Sequence, residues 1–331
     1  MILLTGATGY IGSHIWAELL QNKFAVIGVD NLSNSSTDVL GSIESISSIP
    51  PVFFLGDVRD EEFLINLFKK NQINLVIHLA ALKDIQQSAL KEIEYFDVNV
   101  NGLKNVLRVM NKFSCKKIIF SSSASVYDPY TISPKDEFSY LNPLSIYGKT
   151  KLDGEKLIYE SNADGLNFQS MVIRYFNVEG RHPSGLLTSN IQRNSGSLFS
   201  EIHKHLSGEQ DFLPIYGDDW DTNDGTCIRD YIHVSDVASG NTKVINLFNR
   251  SSDSFVFNFG TGFGNSVKNV ISACEQATGK HIYYKIYGKR AHEVGISYAN
   301  IAAAKKVLGW SPNKTIQDIC SSSLSMYCSR V

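Results

Sequence analysis

The sequence predicts an α/β fold, a doubly wound parallel sheet with a smaller C-terminal lobe. Three observations predict it. Short apolar runs alternate with amphipathic stretches through the first half of the 331 residues. The runs are rich in Val, Ile, Leu and Phe and mostly end in Gly, Asp, Ser or Asn, as buried parallel strands do. A glycine-rich turn joins the first run to the first amphipathic stretch. Such alternation covers a parallel sheet with helices on both faces, and right-handed crossovers wind it in both directions.

The strands are expected at 1–4, 24–30, 52–55, 75–79, 118–121 and 171–175. In the first helix Ile11, Ile15 and Leu19 recur at four-residue spacing, with Trp16 and Leu20 alongside. Helices near 99–111 and 149–160 follow the same logic. After Asn177 the rhythm is lost, and 178–230 is rich in Gly, Ser, Asn and Asp. Residues 231–234 and 255–260 read as returns to the sheet. A helix near 267–278, a strand near 282–286 and a helix near 301–308 complete a second lobe built from discontinuous segments.

Composition narrows the function. Apolar residues are 43% and charged residues 19%, which is globular. The net charge is −2, from 31 Lys+Arg and 33 Asp+Glu, so no electrostatic footprint for nucleic acid exists. No apolar stretch is long enough to span a bilayer. Five scattered cysteines without C-x-x-C argue against a disulfide framework or structural zinc, and fit a reducing, cytoplasmic setting. His203-x-His205 on one helix is expected to be solvated surface rather than a metal site. The sequon Asn31-Leu-Ser33 is read as an ordinary turn.

The turn Thr-Gly-Ala-Thr-Gly-Tyr-Ile-Gly (5–12) lets the backbone approach a pyrophosphate at a helix N-terminus. Gly6, Gly9 and Gly12 carry that reading. Asp30 ends the second strand, where an acid bonds the adenosine ribose diol and repels a 2′-phosphate; this favours NAD over NADP. Asp57 is placed to meet the adenine. The later Gly260-Thr-Gly-Phe-Gly264 lacks a following acid-ended strand and is expected to be structural, with Ser266 capping the next helix. Tyr147 and Lys151 lie one helical turn apart. A tyrosine with a pKa of about 10 is a poor base, and a neighbouring ammonium favours its phenolate. Ser121-Ser122-Ser123 ends the preceding strand, so hydroxyl, phenol and ammonium can converge on one alcohol.

These residues bear a resemblance. The chain resembles the extended short-chain dehydrogenase/reductases, and specifically the UDP-glucose 4-epimerase family, over nearly its whole length. The motifs are 5–14, Val29-Asp30-Asn31-Leu32, Gly56-Asp57-Val58-Arg59, 76–83, 120–127, Tyr147-Gly-Lys-Thr-Lys151, Arg174-Tyr-Phe-Asn177 and 224–234. The resemblance implies a Rossmann-type NAD-binding domain at 1–176 and 231–260, and a UDP-sugar-binding lobe at 177–230 and 261–331. It implies that Tyr147 takes the 4-hydroxyl proton, Ser123 bonds the same oxygen, and Lys151 tunes Tyr147 and holds the nicotinamide ribose. A tightly held NAD accepts the C4 hydride, and a transient 4-keto sugar turns over before the hydride returns.

Further cofactor contacts are implied for Tyr10, Ile11, Asn31, Val58, Ala80, Ala81, Lys83, Asn99, Ser121 and Tyr175. Lys83 is also implied on the substrate. Asn177, Arg229 and Arg290 match diphosphate positions, Leu198 and Tyr216 uracil positions, and Glu293 the uridine ribose. Ser297 stands where hexose-restricted members carry tyrosine, and Ser197 where asparagine is common; both suggest room for an N-acetyl group. The family tends to dimerise, which implies a homodimer, with the helices near 99–111 and 149–160 as candidates for the contact. Departures are Asp128 for glycine, Ile146 for proline, and Val178-Glu179 for an apolar pair. A 4,6-dehydratase would need an Asp-Glu pair where Ala124 and Ser125 stand. A non-catalytic cofactor sensor would typically lose Tyr147 or Lys151, and both are present.

Overall fold

The computed structural model describes residues 1–163, 165–187, 196–290 and 293–328. Its first strand, β1 (Ile2–Thr5), is followed by α1 (Tyr10–Gln21), β2 (Val26–Asp30), α2 (Asp38–Ser47), β3 (Val52–Leu55), α3 (Glu61–Lys70) and β4 (Leu75–His78). Then come α4 (Ile85–Leu90), α5 (Glu92–Phe96), α6 (Gly102–Lys112), β5 (Lys117–Ser123), α7 (Ile146–Ala163), β6 (Gln169–Tyr175) and β7 (Asn177–Glu179). The rest comprises α8 (Leu198–Ser207), β8 (Leu213–Tyr216), β9 (Ile228–Arg229), β10 (Tyr231–His233), α9 (Val234–Leu247) and β11 (Phe255–Phe259). The chain closes with β12 (Asn265–Ser266), α10 (Val267–Thr278), β13 (Tyr284–Tyr287), β14 (Ile296–Ser297) and α11 (Ile316–Ser323).

Among the described residues, seven parallel strands form the central sheet in the order β11-β6-β5-β4-β1-β2-β3. β1 pairs with both β2 and β4, so the order reverses at β1 and a crevice opens at the strand C-termini there. The pleat sends alternate side chains to opposite faces. Ile2 and Leu4 join the core under α1 and α9, with Trp16, Phe257 and Trp310. Leu3 joins the core on the other face, where α6 brings Leu103, Val106, Leu107 and Met110 at helical spacing. Full burial of each such side chain contributes about 1.5–3 kcal/mol.

The six expected strands are all present, and 255–260 returns to the sheet as β11. Residues 231–234 do not return to it. β10 instead pairs in parallel with β7, beyond the end of β6. Its alternation makes it a seam: Tyr231 packs into the core of the lobe and Ile232 into the core under α1. The helix expected near 267–278 is α10, capped by Ser266 Oγ, which accepts from Asn269 N. The segment expected to be helical near 301–308 contains a π turn at Ala304–Leu308. Of the lobe, 188–195, 291–292 and 329–331 lie outside the described residues. Its core holds Phe199, Ile202, Leu213, Val270 and Cys274.

His203 corrects the expectation of a solvated helix face. It is buried, with its ring 5.5 Å from that of Tyr327, and His205 Nε2 accepts from Tyr283 N. Other buried histidines make the fold acid-sensitive. Burial holds His14 and His78 down to about 3 and His233 to about 4. An unfolded histidine takes up its proton near pH 6.5, whereas these do so only well below, so stability falls as the pH drops below 6.5. His14 donates from Nδ1 to Tyr10 O and accepts at Nε2 from His182 N. A His14→Gln variant should therefore lose less stability than the unsubstituted protein between pH 6.5 and 4. Equal losses in melts across that range would refute the assignment.

Candidate active site

The turn after β1 leaves α1 with an N-cap glycine, Gly9, no side-chain cap and no acid in its first turn. Its leading N–H groups therefore suit an anion. Gly6 has φ +68°, and a Cβ there would lie 2.7 Å from Ala80 N. A Cβ on Gly12 would collide with Gly6 O. This is a cradle only glycine permits. Tyr10 Oη donates to Gly180 O (2.7 Å) and ties the turn to the strand extension carrying Asn177.

Asp30 ends β2 almost buried, its carboxylate accepting from Thr8 N (3.2 Å), Leu32 N (2.9 Å) and Ser35 Oγ (3.0 Å). The acid is thus fixed against the glycine turn. Asn31 Nδ2 donates to Asp57 (2.9 Å), and Arg59 holds the same carboxylate (2.8 Å). That guanidinium brings the Asp57 pKa down to about 2. Val58 is packed beside it in the core under α6. The cradle and the clustered acids fit a dinucleotide.

Ser123 is the last residue of β5, and Tyr147 and Lys151 lie in the first two turns of α7. Ser123 lies on the same side of the cleft as the Tyr147 phenol and favours its phenolate. Burial still raises the phenol above its ordinary value. Lys151 Nζ donates to Ser121 O (2.8 Å) and sits 5.9 Å from the Tyr147 ring centroid. Burial pulls Lys151 down to about 7, opposed by Glu155. The ammonium is itself desolvated and spent on a backbone carbonyl.

Beneath the trio lies a network the sequence did not announce. Glu155, one turn beyond Lys151, accepts from Ser122 Oγ and forms an ion pair with buried Arg174 (2.6 Å). Arg174 also donates to Tyr127 Oη (3.1 Å) and Glu137 O (3.0 Å). This locks α7 to the ends of β5 and β6.

A cleft of about 1240 Å³ runs from the glycine turn past this trio to the lobe. Besides the residues above it is lined by Ile11, Ala80, Ala81, Lys83, Ser121, Tyr175, Asn177, Ser197, Leu198, Tyr216, Arg229, Arg290, Glu293 and Ser297. Arg290 stacks on Tyr216, its guanidinium carbon 3.6 Å from the ring centroid. Arg229 bonds Ile228 O (2.9 Å) and faces Glu293 (3.5 Å), whose Oε2 is buried with no partner among the described residues. Ser197 caps α8, accepting from Ser200 N (3.2 Å). Tyr175 Oη bonds Asn241.

Of the sequence-derived site residues, Asn99 alone is displaced from the cleft lining. It is buried in the π turn joining α5 to α6. Its amide bonds Leu82 N and O and Thr150 Oγ1, so it positions the loop that carries Lys83. Glu179 and Lys135 are buried, ionisable lining residues that the sequence reading missed. Glu179 appeared only as a departure, yet it is a buried acid that bonds Ser197, and burial raises it to about 7. Lys135 lies in no motif, and its signal is only its incongruous charge between Pro134 and Asp136.

A doubly wound sheet with a diphosphate cradle at its switch point, and tyrosine and lysine on the helix beside it, defines the extended short-chain dehydrogenase/reductase class. The chain belongs to the NAD dependent epimerase/dehydratase family, whose pattern matches residues 2–260. It is 34% identical over 330 residues to the UDP-glucose 4-epimerase of Bacillus subtilis, covering 100% of this chain and 97% of that one. A UDP-glucose 4-epimerase from Bifidobacterium longum, solved with NAD+ and UDP, is 40% identical, with a TM-score of 0.92 over 98% of this chain and 96% of that chain. The enzyme from Stenotrophomonas maltophila, with bound NAD and formylated UDP-arabinopyranose, is 34% identical, with a TM-score of 0.94 over 98% and 96%. Among the described residues no helix is long and apolar enough to cross a membrane.

Proposed function

We propose that the protein is a UDP-sugar 4-epimerase that interconverts UDP-glucose with UDP-galactose and also UDP-N-acetylglucosamine with UDP-N-acetylgalactosamine. The observation that carries the reading is the meeting of Ser123, at the end of β5, with Tyr147 and Lys151, at the start of α7, in one cleft that also holds two arginines. NAD, when bound, supplies a reversible hydride acceptor.

The chain's own groups do the rest. Tyr147 moves the proton of the sugar 4-hydroxyl, and Ser123 orients that oxygen. Lys151, released from Ser121 O, would bring its charge to the phenol. Asp30 holds the adenosine ribose and repels a 2′-phosphate. Arg229 and Arg290 neutralise the diphosphate, and Tyr216 and Leu198 pack the uracil. Glu293 Oε2, a buried acceptor without a donor among the described residues, suits a ribose hydroxyl. The dehydratase alternative is disfavoured because Ala124 and Ser125 form the turn after Ser123, and neither can act as an acid or base there.

Acceptance of the N-acetylated pair rests on Ser197 and Ser297, two small residues lining the cleft. The unsubstituted enzyme should turn over both pairs. Ser297→Tyr should abolish turnover of the acetamido sugars while sparing UDP-galactose, because the ring clashes only with the larger substituent. Comparing kcat/KM for the two pairs decides it, and an enzyme inert to the acetamido sugars ends this half of the reading.

A homodimer is also proposed. Leu90, Ile93 and Tyr159 on α4, α5 and α7 are 87%, 86% and 78% exposed. Sedimentation that finds a monomer would overturn it. A cytoplasmic site is supported by the five scattered cysteines, whose odd count and spacing make no disulfide framework. Recovery of the protein outside the cytoplasmic fraction would refute that placement.

A further inference from the structure

The wall beside Ser297 holds an ammonium that the mechanism does not use. Lys135 lines the cleft yet is only 2% exposed. Its Nζ donates to Asp128 O (2.9 Å), and this is its single hydrogen bond among the described residues. A lysine carries three donors, so two N–H groups are left over. The Tyr127 ring lies 6.0 Å away, and among the described residues no carboxylate forms an ion pair with the ammonium. The Asp128 carboxylate attracts it, but bonds Thr131 and Asn142 instead, and Arg229 repels it. A desolvated cation with idle donors is costly unless something in the cleft accepts from them.

Its position relative to Ser297 is fixed by the backbone. Lys135 N donates to Tyr298 O (2.9 Å), and Lys135 O accepts from Asn300 N (2.7 Å). Two residues earlier, Ser133 Oγ accepts from Tyr298 N (3.2 Å). The segment therefore runs alongside β14 and its continuation, and Lys135 and Ser297 move as one wall. On the far side Ser297 is paired with Arg229 across β9.

We propose that Lys135 is a specificity-determining residue, donating a charge-assisted hydrogen bond to the acyl oxygen of a 2-acetamido group in the space beside Ser297. The inference rests on the reading that this space receives the C2 substituent. An acetamido oxygen is a strong neutral acceptor and reaches further from the ring than a hydroxyl. It suits an ammonium already neighboured by one cation and held in a fixed wall. Ser297 then admits the group by its small size, and Lys135 favours it by bonding it.

The test compares kcat/KM for UDP-galactose, UDP-N-acetylgalactosamine and UDP-galacturonate in the unsubstituted enzyme, Lys135→Met and Lys135→Gln. Lys135→Met should lower the ratio of acetamido sugar to galactose about tenfold, through KM rather than kcat. Lys135→Gln keeps an N–H donor and should fall between. A merely structural role would move both sugars together and leave the ratio unchanged in both variants, which would overturn the proposal. So would a Lys135-dependent preference for UDP-galacturonate over the acetamido sugar, since the ammonium would then serve a carboxylate. If Lys135→Met does not fold, the ratio in Lys135→Gln decides alone. An unsubstituted enzyme without acetamido turnover sinks both this inference and the reading beneath it. Turnover with a Lys135-independent ratio sinks this inference only.

Discussion

Tyr147→Phe is expected to keep the fold and bound NAD and to lose epimerisation by about 10²–10⁴-fold. The substitution removes one oxygen. The ring remains half-buried at the start of α7, with Lys151 Nζ still held by Ser121 O. What goes is the hydroxyl whose ionised form Ser123 favours. No neighbouring group can replace it. Ser123 and Ser125 are hydroxyls with far higher pKa values, and Lys151 is turned to a backbone carbonyl. The fall should appear in kcat and kcat/KM alike, because proton transfer belongs to the transition state. A variant that retains near-full turnover would show that another group moves the proton.

The second large effect concerns stability. Glu155→Ala removes the partner of Arg174, whose side chain is 4% exposed. Breaking a buried pair from one side leaves an uncompensated charge and costs about 3–5 kcal/mol. Arg174 would keep only Tyr127 Oη and Glu137 O, and Ser122 Oγ would lose its acceptor. The denaturation midpoint should shift with m unchanged. The same change removes the charge that props up the Lys151 pKa, already near 7. The ammonium population at neutral pH therefore falls, and residual activity should move to lower pH. A stability loss below about 1 kcal/mol would mean that water reaches Arg174 and compensates it.

How much of this was legible follows from what periodicity reports. Apolar runs and their end residues located the strands of the sheet, because a buried parallel strand must be apolar on both faces. The glycine turn and Asp30 were legible because backbone geometry there tolerates few residue types. Tyr147 and Lys151 share a helix, so their spacing sufficed. Pairings between distant segments were not legible. Nothing near Glu155 announces Arg174 nineteen residues later on another element. Asn99 matched a family position, but nothing in its neighbourhood announced its bonds to Leu82 and Thr150. His203 looked solvated because the two-residue spacing says nothing about the neighbour, Tyr327, that covers it. β10 read as a sheet strand since its apolar character is real, but its faces serve two cores.

The most direct test of the central claim uses the unsubstituted protein with no dinucleotide added. UDP-galactose is supplied, UDP-glucose is followed by a coupled readout, and the dinucleotide released on denaturation is identified. The expected result is conversion without added cofactor, with NAD rather than NADP released. Bound NADP would contradict the role of Asp30. Failure to form UDP-glucose while NAD is bound would contradict 4-epimerisation itself.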